Sequence, residues 1–183
     1  MDLKKEFSTK IVTEFSQQAL ADILLLEQAC YPLAMQYEAS VAENYYTDAL
    51  RSRQNINIFL LDGEQVVGYI LAVPHNAGFD EIIELDLEYI EQDDVLYVET
   101  IQVSPQCQGR GGAKKLLATL CEEAGKMGLH KFSIHAIRSN GLSGLVKKLF
   151  AGKIGVVREI AKWAPGNGEP YEYIEWDIGK QEI

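Results

Sequence analysis

Hydrophobic positions along the chain switch between a period of two and a period near 3.6, and the switches mark out its elements. Phe7 to Phe15 alternates loosely and predicts a first strand. Ser16 is placed to cap a helix running to about Ala29, with Leu20, Ile23, Leu24 and Glu27 at helical spacing and Pro32 to stop it. A second helix is predicted from Ser40 to about Arg51. Ile56 to Leu61 and Gln65 to Val73 read as strands joined by Asp62-Gly63-Glu64, a hairpin signal, with Pro74 ending the second. Val95 to Val103 is short, apolar and β-branched enough for a buried strand. Ala113, Leu116, Leu117, Leu120, Cys121 and Ala124 then share one face of a helix that Gly128 ends. Lys131 to Ile137 alternates as a strand, and Ser139-Asn140 opens a helix carrying Leu142, Leu145, Val146, Leu149 and Phe150. Ile154 to Trp163 and Tyr171 to Ile178 are the final strands.

The resulting order, β-α-α-β-β-β-α-β-α-β-β, places hairpin-connected strands before a strand-helix-strand unit. It predicts an α/β (α+β) fold with a mixed sheet and helices on both faces. At 183 residues the chain is expected to be a single domain over 1–183, large enough for a full core. No repeat, low-complexity segment or linker interrupts it. Residues 75–94 form an acidic insert with interleaved apolar positions: an extra helix or a hairpin extension, and either a solvated face or a rim that collects cations.

Charge and cysteine content narrow the classes. A net charge of -10 argues against general nucleic-acid binding and permits a cationic small substrate. The apolar runs are far short of a membrane span, the N-terminus lacks a hydrophobic signal segment, and three unclustered cysteines suit reduced thiols. These features set the expectation of a cytoplasmic location. His75, His130 and His135 show no metal-ligand spacing with one another or with the cysteines, so no metal site is expected.

The candidate chemistry gathers where strand Val95–Val103 passes into the following helix. Gln108-Gly109-Arg110-Gly111-Gly112-Ala113 holds three glycines and no acid, and a glycine-rich strand-to-helix turn aims backbone N–H groups from the positive end of a helix dipole. Arg110, Lys114 and Lys115 crowd the first turn, where acids are normally preferred. Such a helix start points to an anionic ligand, a phosphate. The rival motifs fail: no Gly-x-x-x-x-Gly-Lys-(Ser/Thr) string occurs, and Lys114 stands where the third small residue of a dinucleotide fingerprint belongs.

The element order, the hairpin strand with Gly68 in VVGYILAV, and VETIQVSPQCQGRGGAKKLL together resemble the GNAT superfamily of N-acetyltransferases. Its (Gln/Arg)-x-x-Gly-x-(Gly/Ala) pattern is filled by Gln108, Gly111 and Ala113, and the resemblance covers roughly Phe7 to Ile178. It implies a GNAT-like, mostly antiparallel sheet of about seven strands and acetyl-CoA as donor. The backbone of Gln108, Gly109, Arg110, Gly111, Gly112 and Ala113 would hold the pyrophosphate, and Ile101, Gln102 and Val103 would pair with the pantetheine amides. Asn140 matches a family asparagine that contacts CoA; it is equally placed as an ordinary helix cap. Such domains often dimerise, so a homodimer is a further expectation.

Acetyl transfer to an amine needs the neutral amine, and an amine with a pKa of about 10.4 is neutral in roughly one molecule in a few thousand at pH 7. A general base answers this. Strand alternation puts Tyr97, Glu99, Ile101 and Val103 on one face, and a carboxylate in so apolar a strand is partly desolvated. Glu99 is the candidate base, and the family often has a glutamate there; the competing reading is a glutamate paired across the sheet. Where many family members carry a tyrosine to protonate the thiolate, seven residues after Asn140, this chain has Lys147. Tyr173, Tyr171, Lys147 or water would then supply the proton, and Tyr173 is the candidate acid. Tyr31, Met35, Tyr37, Tyr45 and Tyr46 either line the acceptor pocket or belong to the core. Cys107 is either a reactive thiol beside the turn or simply a small loop residue. The expected activity is acetyl transfer to a primary amine of a small cationic acceptor. A peptide or protein amine, or a non-catalytic acyl-CoA sensor, is the alternative.

Overall fold

The computed structural model describes residues 6–33, 36–77, 82, 85–160 and 169–179. Met35, Asp80, Glu81, Ile83, Glu84 and the end of the strand expected through Trp163 lie outside the described residues. The described residues form a seven-stranded, mostly antiparallel open sheet in the order β1-β2-β3-β4-β5-β7-β6, with four α-helices among them. In sequence these are β1 Ser8–Ile11, α1 Gln17–Cys30, α2 Ala39–Arg51, β2 Ile56–Asp62, β3 Gln65–Pro74 and β4 Val95–Val103. There follow α3 Gly112–Lys126, β5 Lys131–Ile137, α4 Leu142–Leu149, β6 Ile154–Ile160 and β7 Tyr171–Asp177. Among the described residues the expected order of strands and α-helices is the observed one. The first strand is shorter than expected, ending at Ile11.

The contacts fall into two compact units, 1–72 with 100–122 and 73–99 with 123–183. In the first, Ser16 caps α1 in extended conformation, its side chain accepting the Ala19 N–H at 3.1 Å. Leu20, Ile23 and Glu27 of α1 are buried as spaced, joined by Leu26. β1, β2 and β3 form an antiparallel meander, and the register slips after Leu60: Leu60 faces Gly68 while Leu61 faces Val66. This bulge brings Gly68 against the backbone of β4, where an added Cβ would stand 2.8 Å from the Gln102 carbonyl. Ile58, Leu60, Leu71, Leu116, Leu117 and Leu120 fill the interior.

In the second unit, β4 pairs in parallel with β5 over Val95–Val98 against Lys131–Ile134. β7 pairs antiparallel with both β5 and β6. Trp176 is sandwiched between Phe132 and Phe150, with centroid separations of 5.4 and 4.8 Å and both rings tilted by only 14°. Gly128, at a φ of 78°, ends α3 as expected, with the Leu129 N–H returning to the Ala124 carbonyl at 3.0 Å. Asp86, drawn from the acidic insert, turns inward: its side chain is 3% exposed and paired with Arg158. Glu88, Glu91, Asp93 and Asp94 stay exposed. Among the described residues no helix is long and apolar enough to cross a membrane.

Candidate active site

The turn after β4 is built from three separate devices. A 3-10 turn, Pro105–Cys107, reverses the chain, and the Cys107 N–H reaches the Ser104 carbonyl at 2.8 Å. Gln108 then folds back and donates from Nε2 to the Val103 carbonyl at 3.0 Å, fastening the turn to the strand it leaves. Gly109 and Gly111, with φ of 72° and 88°, occupy the left-handed region. Gly112, the first residue of α3, is there for space: an added Cβ would stand 2.6 Å from Leu60 Cδ2 and 3.3 Å from Val103 Cγ1. Two glycines thus shape the loop and the third lets the helix start come down onto the sheet.

The first-turn N–H groups of a helix have no intrahelical acceptor, and here Lys114 and Lys115 stand exposed beside them. Cations at this end oppose the dipole by roughly 0.3–1 kcal/mol each. The burial of Leu116, Leu117 and Leu120, worth roughly 1.5–3 kcal/mol apiece, outweighs that cost and keeps the helix in place. Arg110 is committed differently from its neighbours. Its Nη1 donates to Asp62 Oδ2 at 2.8 Å, and its guanidinium lies 4.4 Å over the Phe7 ring. It ties the turn to the β2–β3 hairpin.

Along β4 the alternation is visible as burial: Thr100 and Gln102 are buried, while Glu99, Ile101 and Val103 are half-buried. Tyr31 Oη lies 2.9 Å from Thr100 Oγ1, so the end of α1 sits on the Thr100 face. Gly112 touches the methyl groups of Val103, so the start of α3 sits on the other face. The Cys30 thiol donates to the Val103 carbonyl at 3.5 Å; burial pushes it up to about 11, against that hydrogen bond, so it stays protonated. Of the tyrosines open to either a pocket or a core role, Tyr46 is 2% exposed and belongs to the core, packed edge-on to Tyr69. Tyr37 and Tyr45 stay accessible, their rings 5.8 Å apart.

The remaining candidates fall in the second unit. Asn140 is not the cap expected of it: left-handed Gly141 is the N-cap of α4, and Asn140 Oδ1 accepts the Leu142 N–H at 3.0 Å in an Asx turn just before it. Lys147, in the position where a tyrosine is common, donates to Glu172 at 2.6 Å, and Ser143 donates to the same carboxylate oxygen. Tyr173 is 2% exposed and sits in a polar aromatic cluster that sequence reading missed. Its hydroxyl donates to Glu175 Oε1 at 2.5 Å and lies 3.0 Å from His75 Nε2. Because the Gln92 N–H donates to His75 Nδ1 at 3.2 Å, the neutral His75 carries its proton on Nε2 and gives it to Tyr173. Tyr89 stacks on His75 at 4.3 Å. Burial first, and then Glu175, push the Tyr173 hydroxyl far above the ordinary phenol range.

Beside it, His135 Nε2 contacts Asp86 Oδ2 at 3.1 Å and Nδ1 contacts Tyr97 Oη at 3.0 Å. Arg158 grips both Asp86 oxygens, at 2.5 and 2.7 Å. Burial raises the Asp86 carboxyl, but the hydrogen bonds from His135 and Arg158 win and hold it well below the usual carboxylate range. No local sequence signal marked this cluster: Asp86 keeps the polar phase between Leu85 and Leu87, like its acidic neighbours Glu84 and Glu88. Among the described residues no group of three or more His, Cys, Asp or Glu side chains is arranged to hold a metal ion.

Compared by sequence, no curated protein matches the chain. The profile of the "Acetyltransferase (GNAT) family" matches residues 20–143. Among solved structures, yncA of Salmonella typhimurium, determined with its cofactor acetyl-CoA, superposes with a TM-score of 0.69 at 15% identity, over 97% of each chain. The ribosomal-protein-S18-alanine N-acetyltransferase of Escherichia coli gives a TM-score of 0.64 at 13% identity, over 96% of this chain and 99% of that one. A spermidine N-acetyltransferase chimera of Vibrio cholerae SpeG and hSSAT gives 0.64 at 15% identity, over 93% and 95%. These structures share the fold. The family match, covering well over half of the chain and lying across the glycine turn, makes the protein a member of the GNAT acetyltransferase family.

Proposed function

We propose that the protein transfers an acetyl group from acetyl-CoA to a primary amine of a small cationic acceptor. The observation that carries this reading is the turn Gln108–Ala113. Two left-handed glycines and a sterically obligatory third bring the start of α3 down beside the end of β4, with Lys114 and Lys115 exposed at its first turn. The N–H groups of Gly109 to Ala113 would receive the pyrophosphate, with Ile101, Gln102 and Val103 alongside the pantetheine. Asn140, just before the Gly141 cap of α4, would add a CoA contact through its amide nitrogen. The thioester supplies an activated acetyl group; the rest falls to the chain.

Glu99 is half-buried on the same face of β4 as Ile101 and Val103. In our reading it takes one proton from the acceptor ammonium, directly or through water; the freed lone pair forms the new C–N bond as the C–S bond breaks, and the second proton lost by that nitrogen passes through water to the departing thiolate. A thiol has a pKa of about 8.5, so its thiolate leaves readily near neutrality. Tyr173 was the candidate to protonate it. With its proton given to Glu175 and its pKa far raised, we assign Tyr173 instead to ordering His75 and Glu175.

The test is thiol release from acetyl-CoA over a panel of primary amines. Glu99→Gln is expected to lower kcat/KM at least 100-fold, with CoA affinity retained. Tyr173→Phe is expected to keep kcat within about tenfold. CoA binding without thiol release for any amine, unaltered by Glu99→Gln, would make the protein an acyl-CoA sensor instead.

A further inference from the structure

Three buried side chains of the second unit, Asp86, His135 and Tyr97, form a chain of hydrogen bonds whose direction is set at one end. Burial opposes the charge on Asp86, but His135 and the two-handed grip of Arg158 hold the carboxylate ionised, so it can only accept. His135 Nε2, 3.1 Å away, is therefore the donor. Burial keeps the proton affinity of the ring low, against the pull of Asp86. The ring is thus neutral, with its one proton on Nε2 and Nδ1 bare. Tyr97 Oη, 3.0 Å from Nδ1, must then be the donor in that contact. Burial, and after it the charge of Glu99, push the Tyr97 hydroxyl well above the ordinary phenol range, so Tyr97 keeps the proton it shares.

Tyr97 stands two positions before Glu99 on β4, so strand alternation puts the two side chains on one face. The effect of the Glu99 charge on the Tyr97 phenol places each within electrostatic reach of the other. Glu99 is turned inward as well, with its Oε2 buried. Because the single proton of Tyr97 is committed to His135, Oη offers Glu99 lone pairs only. Lone pairs accept from a carboxylic acid and repel a carboxylate, so they favour the protonated form. A tyrosine hydroxyl free to rotate would do the opposite, donating to the carboxylate and weakening it as a base. The other groups about the His135 ring do not reverse the chain. Tyr89 of the insert, Tyr173 of β7 and nearby His75 are held neutral, each chiefly by burial. The Glu175 carboxylate is taken up by Tyr173 and Gln92.

We propose that Asp86, His135 and Tyr97 are positioning residues for Glu99: they hold the Tyr97 hydroxyl as an acceptor on the face that Glu99 shares, and so strengthen Glu99 as a base. The acidic insert then has a part in the chemistry. Through Asp86 it supplies the fixed charge from which the direction of the hydrogen bonds follows, and Arg158 of β6 keeps that charge in place. The inference rests on the reading of Glu99 as the base, but the raised proton affinity it asserts is measurable with neither donor nor acceptor present.

The measurement is an NMR titration of the full chain, isotope-labelled at its glutamate carboxyl carbons, with the Glu99 signal identified by its loss in Glu99→Gln. Tyr97→Phe, which deletes the acceptor oxygen, is expected to lower the proton affinity of Glu99 at least about threefold. His135→Leu frees the Tyr97 hydroxyl to donate to the carboxylate and is expected to lower it at least about tenfold. Tyr69→Phe removes a buried hydroxyl bonded to Asn57 instead, and is expected to leave Glu99 within about twofold of wild type. The spectra show whether each variant is folded, and Tyr97→Phe decides alone if His135→Leu is not. An unchanged Glu99 in Tyr97→Phe, a raised proton affinity in His135→Leu, or an equal fall in Tyr69→Phe would overturn the assignment. Thiol release over the amine panel separates the two claims. Full turnover in Glu99→Gln would refute the reading of Glu99 as the base, whereas a Glu99 signal that ignores Tyr97 and His135 refutes the positioning chain.

Discussion

Gly112 and Leu60 are in contact so close that a single added carbon on the glycine would stand 2.6 Å from Leu60 Cδ2. Leu60 is fully buried and faces Gly68 across the β2–β3 register slip, so it has no room to retreat. Overpacking of this kind costs about 1–3 kcal/mol. Gly112→Ala is expected to lower stability by that amount in urea denaturation and to weaken CoA binding by lifting the helix start. Gly111→Ala has open space around it but a φ of 88°, and is expected to cost about 1–2 kcal/mol through backbone strain alone. A Gly112→Ala protein as stable as wild type would show that the helix start is not seated as described.

The ion pair of Asp86 and Arg158 is the second expected weak point. Removing one partner of a buried pair costs about 3–5 kcal/mol. Because the Arg158 side chain keeps 20% of its exposure, the lower end applies, about 3 kcal/mol for Asp86→Asn. A double-mutant cycle with Arg158→Met checks this. Additive losses in the cycle would mean the two side chains act separately.

Acid should loosen the second unit. Burial pushes His75 down to about 4, with Glu175 opposing and His135 adding to the fall. In the unfolded chain its pKa is about 6.5. Below that value the unfolded state binds a proton that the folded state refuses. Stability is therefore full above about pH 6.5 and declines as pH falls to about 4, by on the order of 3 kcal/mol. His135, also lowered chiefly by burial despite Asp86, acts in the same direction. Urea midpoints between pH 7.5 and 4.5 are expected to fall in wild type and to fall less in His75→Gln. A variant with the wild-type slope would remove His75 from the account.

The element order and most boundaries were legible in the sequence because they rest on local signals. The Ser16 cap, the Asp62-Gly63-Glu64 hairpin and the periods of β4 and β5 each act within a few residues. The glycine turn was legible for the same reason, although its glycines serve two purposes that composition does not separate. Side-chain partners distant in sequence were not. The side chain of Arg110, in the phosphate turn, is held by Asp62, 48 positions away. Asp86 looked like one more surface acid, until Arg158 and His135 met it across 72 and 49 positions. Glu27 occupies an apolar helix position, and the Tyr37 N–H that meets its Oε1 comes from ten positions away, beyond the reach of the helical period.

The central claim is that the turn between β4 and α3 holds the pyrophosphate of the acetyl donor. Calorimetric titration of the intact protein with CoA and with pantetheine, which shares the amide arm but lacks the pyrophosphate, tests it directly. The account predicts that CoA binds and that pantetheine binds at least 100-fold more weakly, about 2.7 kcal/mol. Equal affinities, or no binding of CoA, would contradict it.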